Sequence, residues 1–315
     1  MPRSAIDSLR ESVRGRSLLN VRMADQTTLR VGGPADLLVY PADREDLGTL
    51  LALLGERGIS HFVLGGGSNL LVRDGGIRDA VVSLAEGFGT VERRENRPDR
   101  VVFWADAGVP LRRLIRWAVE EGISALEPLA GIPGTLGGAL AMNAGAWGLE
   151  IADRVLGVEV LDAAGAVQRL ARSDLRFGYR AAELPEKSIV LGALLWGEPR
   201  ESEEIRARVR DFLDRRRDRQ PMGEPSAGSV FKNPPGHSAG RLIEECGLKG
   251  VRVGDAEVSR LHANFIVNTG RAKASHVVAL MEMMQERVYV RHKIRLEPEI
   301  RVVGEWDKGK LRIQE

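Results

Sequence analysis

The chain reads as an α+β protein in which strand and helix units are separated by two glycine-rich, nearly uncharged turns. Three observations predict this. Residues 43–64 carry apolar positions at helical spacing followed by a short apolar strand, so that with the extended segment before them they form a strand–helix–strand unit. Residues 155–170 read as a β-hairpin. Residues 63–72 and 130–148 concentrate glycine among apolar neighbours. Glycine is costly inside helices and strands, so these segments imply turns that bring backbone close to something.

Each element follows from its local pattern. Residues 1–20 suggest a short charged helix or arm, and residues 28–40 an extended segment with Gly32-Gly33-Pro34 as a turn. Residues 43–57 form a helix with Leu47, Leu50, Leu51 and Leu54 at its spacing, stopped by Gly55 or Gly58. Phe62, Val63 and Leu64 enter the first glycine-rich turn. Residues 92–100, charged and containing Pro98, read as a surface loop and boundary. A strand at 101–107 precedes a helix opened by Pro110, with Leu111, Leu114, Ile115, Ala118 and Val119 inward and Gly122 as its stop. The hairpin joins strands 155–161 and 167–170 through a turn at 162–165. A strand at 189–196 leads to a helix at 203–217, with Ile205, Val209, Phe212 and Leu213 on one face. Pro221, Gly223 and Pro225 then break the chain. The last region holds a helix near 239–246, a strand at 264–267 and a helix over about 274–290 that buries Val277, Met281, Met284 and Val288; an extended tail at 294–303 follows.

Composition narrows the function classes. A chain of 315 residues accommodates two or three domains, and 43% apolar with 29% charged residues is ordinary for a soluble protein. A net charge of +2 argues against a nucleic-acid footprint, although the pI of about 8.8 is mildly basic. Cys246 is the only cysteine, so no intramolecular disulfide forms and a reducing cytoplasm is expected. No apolar run approaches the ~20 residues of a membrane span, and the first residues lack the apolar core of a signal peptide. The histidines His61, His237, His262, His276 and His292 show no ligand spacing, so no metal is expected.

Neither glycine-rich turn is a dinucleotide fingerprint. Gly65-Gly66-Gly67-Ser68-Asn69-Leu70 lacks the third glycine of G-x-G-x-x-G, and no G-x-x-x-x-G-K-[ST] is present. The second turn carries Gly131, Gly134, Gly137, Gly138, Gly145 and Gly148. Either alone is explained as a tight turn. Together, with Ser68, Asn69, Thr135 and Asn143 as polar donors, they read as a cradle holding a pyrophosphate by backbone N–H groups rather than by lysines.

Three further motifs carry reactive groups, each with a plainer reading beside it. Phe177-Gly178-Tyr179-Arg180 offers a guanidinium able to hold a carboxylate bidentately and to stabilise enolate charge, or else a surface arginine beside a packed tyrosine. In Ala227-Gly228-Ser229-Val230-Phe231-Lys232-Asn233-Pro234 a small-residue turn presents Ser229. No His–Asp pair stands at a hydrolase spacing. Ser229 is then a proton donor, if a nearby cation such as Lys232 lowers its pKa, or an ordinary turn serine. Glu297 and Glu299, two apart on an extended segment, point to one face: a proton-holding acid, or an exposed edge. The basic cluster Arg215–Arg219 suits a diphosphate, or a solvated helix end.

Taken in order, Thr28-Leu29-Arg30-Val31-Gly32-Gly33-Pro34-Ala35, Leu64–Leu70, Gly131-Ile132-Pro133-Gly134-Thr135-Leu136-Gly137-Gly138, Tyr179-Arg180, Gly228–Pro234 and Glu297-Pro298-Glu299 resemble the UDP-N-acetylenolpyruvoylglucosamine reductase (MurB) family over roughly residues 20–304. The resemblance implies an FAD-binding fold of the vanillyl-alcohol-oxidase type. Its two α/β subdomains are residues 1–86, to which the tail 295–315 returns, and 87–219; a substrate-binding α/β domain spans 220–294. It implies a flavoenzyme oxidoreductase of peptidoglycan precursor synthesis in a bacterial cytoplasm. NADPH reduces FAD, and hydride then passes to the enolpyruvyl group of a UDP-sugar to give UDP-N-acetylmuramate. Leu64, Gly65, Gly66, Gly67, Ser68, Asn69, Leu70, Gly131, Ile132, Pro133, Gly134, Thr135, Gly137, Gly138 and Asn143 would hold FAD. Tyr179, Lys232 and Asn233 would bind the sugar nucleotide. Arg180 would stabilise charge on the enolpyruvyl carboxylate, Ser229 would deliver the proton and Glu299 would assist as hydrogen-bond donor or acid. Partners would be small molecules, with neither nucleic acid nor membrane, and a monomer is expected.

Two departures from the family pattern stand out. Tyr40, Tyr179 and Tyr289 are the only tyrosines, and the segment between Arg180 and Ser229 is short, so the chain looks like the shorter type without a substrate-covering tyrosine loop. Ala227 stands where relatives often have cysteine. Two alternatives compete: another FAD-dependent oxidase or dehydrogenase on the same scaffold, and a nucleotide- or RNA-binding protein using Arg215–Arg219. The weak net charge argues against the second.

Overall fold

Helix Arg44–Glu56 begins where a side chain caps it, with Asp43 Oδ1 accepting the Asp46 amide at 3.0 Å. Leu47, Leu50 and Leu54 are buried at the expected spacing. Asp46 is buried as well, because its carboxylate accepts the amides of Arg14, Gly15 and Ala42 at 2.8–2.9 Å and ties the N-terminal segment to the helix. The computed structural model describes residues 3–307, without the side chains of residues 3–5 and 7. The first two residues of the expected arm and residues 308–315 of the expected tail lie outside the described residues. Within the arm, helix Arg3–Ser12 is followed by a strand, Arg16–Arg22.

The chain forms two compact units, each built from discontinuous segments. The first takes residues up to Leu18, Leu38–Gly66 and Asp79–Arg215. Its main sheet is antiparallel, in the order Val167–Ala171, Val155–Leu161, Ile189–Pro199, Val101–Asp106, Val91–Asn96; Ile123–Ser124 pairs with the far end of Ile189–Pro199. Strand Val101–Asp106 is buried throughout, as its continuous apolar run demands. Helix Leu111–Glu120 buries Leu111, Leu114, Ile115, Ala118 and Val119, and Gly122 leaves it at φ 66°. His61–Leu64 runs parallel to Ala80–Ser83.

The second unit takes Leu19–Leu37, Gly67–Arg78 and the chain from Arg216 onward. Its antiparallel sheet runs Ser226–Ser229, Phe265–Asn268, Ala256–Val258, Arg252–Val253. Helices Ala239–Glu245 and Ala274–His292 cover one core that includes Val230, Phe231, Ile243, Val258, Ile266, Val277, Met284 and Ile300. Arg301–Val303 pairs in parallel with Leu70–Val72. Strands Arg16–Arg22, Pro34–Tyr40 and Ile77–Ser83 each begin in one unit and end in the other.

Four expectations need correction. Residues 92–100 are not a loop: Val91–Asn96 is an edge strand, and only Pro98 and Asp99 form the turn, closed by reciprocal Arg97 and Arg100 backbone bonds of 2.8 and 3.3 Å. An edge strand with an exposed face tolerates charges, which hid it. The first residues of the expected turn at 227–234 belong to a bulged strand, Ser226–Ser229. The second glycine-rich segment contains a helix, Leu136–Ala141, capped by Thr135 Oγ1. Finally, residues 294–300 form no strand, so the two-residue alternation expected for Glu297 and Glu299 does not apply.

Candidate active site

In the first unit the turn after His61–Leu64 meets the second glycine-rich segment. A Cβ on Gly66 would lie 2.5 Å from Gly134 Cα, and one on Gly65 would lie 3.1 Å from Thr135 Oγ1. Only glycine permits backbone to approach backbone this closely. Gly134 sits at φ 121° and Gly131 at φ 83°. Among the described residues, the amide nitrogens of Gly65, Gly66 and Gly134 donate to no backbone carbonyl. On exposed Gly66 and half-buried Gly65 and Gly134, amides left in that state are donors for a ligand or for water. Gly137 does something else: its N–H donates to Ala107 O at 2.8 Å and packs the segment onto the sheet.

Within the second unit, Gly67 adopts φ 62° and its carbonyl accepts from Thr28 N at 3.2 Å. A Cβ there would strike Gln26 O at 2.0 Å. Ser68 is half-buried and Leu70 buried. Asn69 Nδ2 donates to Glu299 O at 3.1 Å, and Asn69 O accepts from Arg301 N at 3.0 Å. Asn69 thus fastens the segment that carries Glu299.

Tyr179 and Arg180 form the two-residue tip of the hairpin Arg176–Gly178 and Ala181–Glu183. Arg180 sits at φ 56°, uncommon for a residue with a side chain, and its Nη1 donates to Gly145 O at 3.2 Å. Its guanidinium lies 5.4 Å from the Tyr179 ring centroid, and Tyr179 is 49% exposed. Asn143 secures this tip. Fully buried, it donates through Nδ2 to Glu150 Oε2 at 2.6 Å and to Gly178 O at 3.0 Å, and its Oδ1 accepts from Ala152 N at 3.3 Å. Both amide hydrogens are spent on protein, so the expectation that Asn143 is a side-chain donor to a cofactor gives way to a fastening role.

In the second unit, Ser226 pairs with Val267 but Ser229 with Phe265, so one extra residue bulges from this strand, with Gly228 at φ 76°. The bulge aims Ser229. Its hydroxyl is half-buried and makes no hydrogen bond among the described residues. Glu299 N donates to Val230 O at 2.8 Å, so the acid's segment lies alongside the serine's strand. Lys232 Nζ pairs with Glu297 Oε1 at 2.5 Å, where the Glu297 side chain is 70% exposed. The carboxylate at 297 is therefore the outward one, and the Lys232 charge is partly answered before it reaches Ser229. Asn233 Oδ1 accepts the Ala239 amide at 2.9 Å and secures the start of helix Ala239–Glu245. Of the other two tyrosines, Tyr40 is buried in the first unit and Tyr289 lies on helix Ala274–His292. Among the described residues no helix is long and apolar enough to cross a membrane, and no metal-ligating cluster occurs.

Sequence reading missed Asn264, which brackets the Ser229 strand from its other flank. A buried asparagine directly before the apolar run Phe265-Ile266-Val267 was the available signal, since such a residue must find partners.

These features define a flavin-binding oxidoreductase class: residues 35–171 match the family model for an FAD binding domain. The facing Gly66 and Gly134 backbones, with uncommitted amides beside them, fit the pyrophosphate of such a cofactor. Residues 220–303 match the model for the UDP-N-acetylenolpyruvoylglucosamine reductase C-terminal domain. The chain belongs to the UDP-N-acetylenolpyruvoylglucosamine reductase (MurB) family. It is 47% identical to the reductase of that name from Geobacter metallireducens over 94% of this chain and 97% of that one. Against the one from Nitrosococcus oceani identity is 46%, covering 93% of this chain and 97% of that one. The crystal structure of the Thermus caldophilus enzyme superposes with a TM-score of 0.77 at 41% identity, covering 93% of this chain and 99% of that one. The α+β class and FAD-binding fold expected from sequence are borne out.

Proposed function

We propose that the protein reduces the enolpyruvyl double bond of UDP-N-acetylglucosamine-enolpyruvate to UDP-N-acetylmuramate, with NADPH as the source of reducing equivalents. The observation that carries this reading is the pairing of an unbonded, half-buried Ser229 hydroxyl with the adjacent Glu299 segment. FAD, when bound, supplies the hydride chemistry. The chain's own groups hold the cofactor and manage charge and protons.

Gly65, Gly66, Gly134 and Thr135, with the turn at Gly67–Leu70 and the flanking Gly131, Ile132, Pro133 and Gly138, hold the cofactor through backbone. Arg180 offsets the negative charge that develops on the enolpyruvyl carboxylate; its planar fork suits a carboxylate better than a lysine would. Ser229 hands its proton to the α-carbon, and Glu299 supports that transfer by hydrogen bonding. Tyr179, Lys232 and Asn233 bind the sugar nucleotide, Lys232 by giving up its exposed Glu297 partner. Residues 1–86 and 87–219 serve the flavin, and 220–294 the sugar nucleotide. The two compact units cut the chain differently, because long-range strand pairing rather than chain order defines them. The setting is a bacterial cytoplasm, the product feeds cell-wall synthesis, and the working form is a monomer.

The test is an anaerobic flavin spectrum. NADPH should bleach it, and the enolpyruvyl UDP-sugar should restore it. Ser229→Ala should bleach normally yet recover about 10²–10⁴-fold more slowly, the usual loss for a general acid. A wild-type spectrum that NADPH bleaches but the sugar does not restore would remove the substrate assignment. Equal slowing of both half-reactions in Ser229→Ala would remove the proton donor.

A further inference from the structure

The strand carrying Ser229 is held on both flanks, within one unit. On one side Val230 N donates to Asn264 O at 2.8 Å, next to the Ser229–Phe265 pair. The Asn264 side chain then adds a rung of its own. Its Oδ1 accepts from Phe231 N at 3.0 Å, and its Nδ2 donates to Phe231 O at 2.8 Å. On the other side Val230 O accepts from Glu299 N at 2.8 Å, and Lys232 N donates to Glu297 O at 2.9 Å. Residues 229–232 therefore lie between Asn264 and the segment 297–299.

A primary amide presents a donor and an acceptor in the same relation as a peptide group, so it can stand in for one more residue of sheet. Asn264 is 3% exposed, and its own N–H donates to His262 Nδ1 at 3.2 Å, which fixes the origin of that rung. The bulge at Ala227–Gly228 breaks the ladder just upstream of Ser229. Immediately downstream, Asn264 restores a fixed register. Without it, nothing on that flank pairs with the Phe231 peptide groups, and the Ser229 strand can slide relative to Glu299.

We propose that Asn264 is a positioning residue for proton delivery: its amide pairing with the Phe231 backbone sets the register of the Ser229 strand against the Glu299 segment. The inference rests on the role proposed above for Ser229. A displacement of about 1 Å at a reacting group costs about 10²-fold in rate, so a rung of this kind is felt in one step of the reaction only.

The experiment uses the flavin-loaded full-length protein and measures each half-reaction by anaerobic stopped flow. Wild type, Asn264→Ala, Ser229→Ala and the double variant are compared, and Asn264→Asp is followed across pH. Asn264→Ala should leave bleaching by NADPH nearly unchanged and slow recovery with the sugar by about 10- to 100-fold. In the Ser229→Ala background it should add no further loss, because the group it positions is gone. Asn264→Asp keeps the acceptor for Phe231 N, and only its protonated carboxyl can donate to Phe231 O. Its recovery rate relative to wild type should therefore rise as pH falls. Equal slowing of both half-reactions, full multiplication of the two losses, or a flat pH ratio for Asn264→Asp would each overturn the proposal. If Asn264→Ala does not fold, the Asn264→Asp ratio decides alone. A wild-type protein that the sugar fails to reoxidise overturns the parent reading, and this one with it, before any variant is compared.

Discussion

Replacing Gly66 with alanine tests the cofactor cradle at its narrowest point. The added Cβ would lie 2.5 Å from Gly134 Cα and 3.2 and 3.3 Å from Gly134 C and N. Non-bonded carbons rest at about 3.5–4.0 Å, so the shortest contact is deficient by about 1 Å or more. Both partners are backbone, and no rotamer change relieves the clash. Overpacking of this kind costs about 1–3 kcal/mol. At about 2–4 °C per kcal/mol, the thermal midpoint should fall by roughly 2–12 °C. The relief available is separation of the two turns, which pulls the uncommitted amides apart. Gly66→Ala should therefore emerge from gel filtration depleted in flavin and regain it poorly when FAD is added back. Gly48→Ala is the control: an added Cβ meets nothing within 4 Å in helix Arg44–Glu56, so flavin should stay and the midpoint should hold or rise. Wild-type flavin content and an unchanged midpoint in Gly66→Ala would refute the reasoning.

Two further outcomes are expected. Asn143→Ala leaves the buried Ala152 amide without its bond and removes the tie to the exposed Gly178 carbonyl; it should cost about 1–3 kcal/mol for the orphaned amide and, by loosening the Tyr179–Arg180 tip, raise the KM for the sugar, measured by thermal unfolding and steady-state kinetics. Burial holds His262 below the ordinary histidine pKa of 6.5, helped by the Lys249 charge, and burial does the same at His61 against the opposing pull of Asp79. The unfolded chain then takes up those protons first, so their contribution to stability is complete above that value and is lost as pH falls through the folded pKa. Thermal midpoints measured between about pH 5 and 8 should decline toward acid, and His262→Gln should flatten part of that decline; an identical slope in the variant would remove His262 as a source.

The legible parts of the fold were those whose cause is local. Asp43 with Leu47, Leu50 and Leu54 announces its helix, Pro110 and Gly122 bracket another, and alternation marks the hairpin through 162–165. What escaped depends on partners distant in sequence. Leu70–Val72 becomes a strand because Arg301–Val303 lies beside it, and nothing near residue 70 encodes that. Val91–Asn96 reads as loop because an edge strand tolerates charge. The site divides the same way. Glycine density located the cradle, since close backbone approach requires glycine. Side-chain assignments were weaker: Asn143 and Asn69 look identical as potential donors in sequence, and only the fold reveals that one is spent on Glu150 and Gly178 and the other on Glu299.

The parallel pairing of Arg301–Val303 with Leu70–Val72 sets a timetable for the chain during its synthesis. Leu29, Val31 and Leu71 belong to the same core as Ile266, Met284 and Ile300, yet they leave the ribosome long before those partners exist. At about 5–20 residues per second, the interval between the two strands is on the order of 10–45 s. For that time apolar segments of the second unit stand exposed, while much of the first unit's sheet is already emerging. The nascent chain is consequently most prone to aggregation and to chaperone capture in this window, and the arrival of Arg301–Val303 ends that exposure.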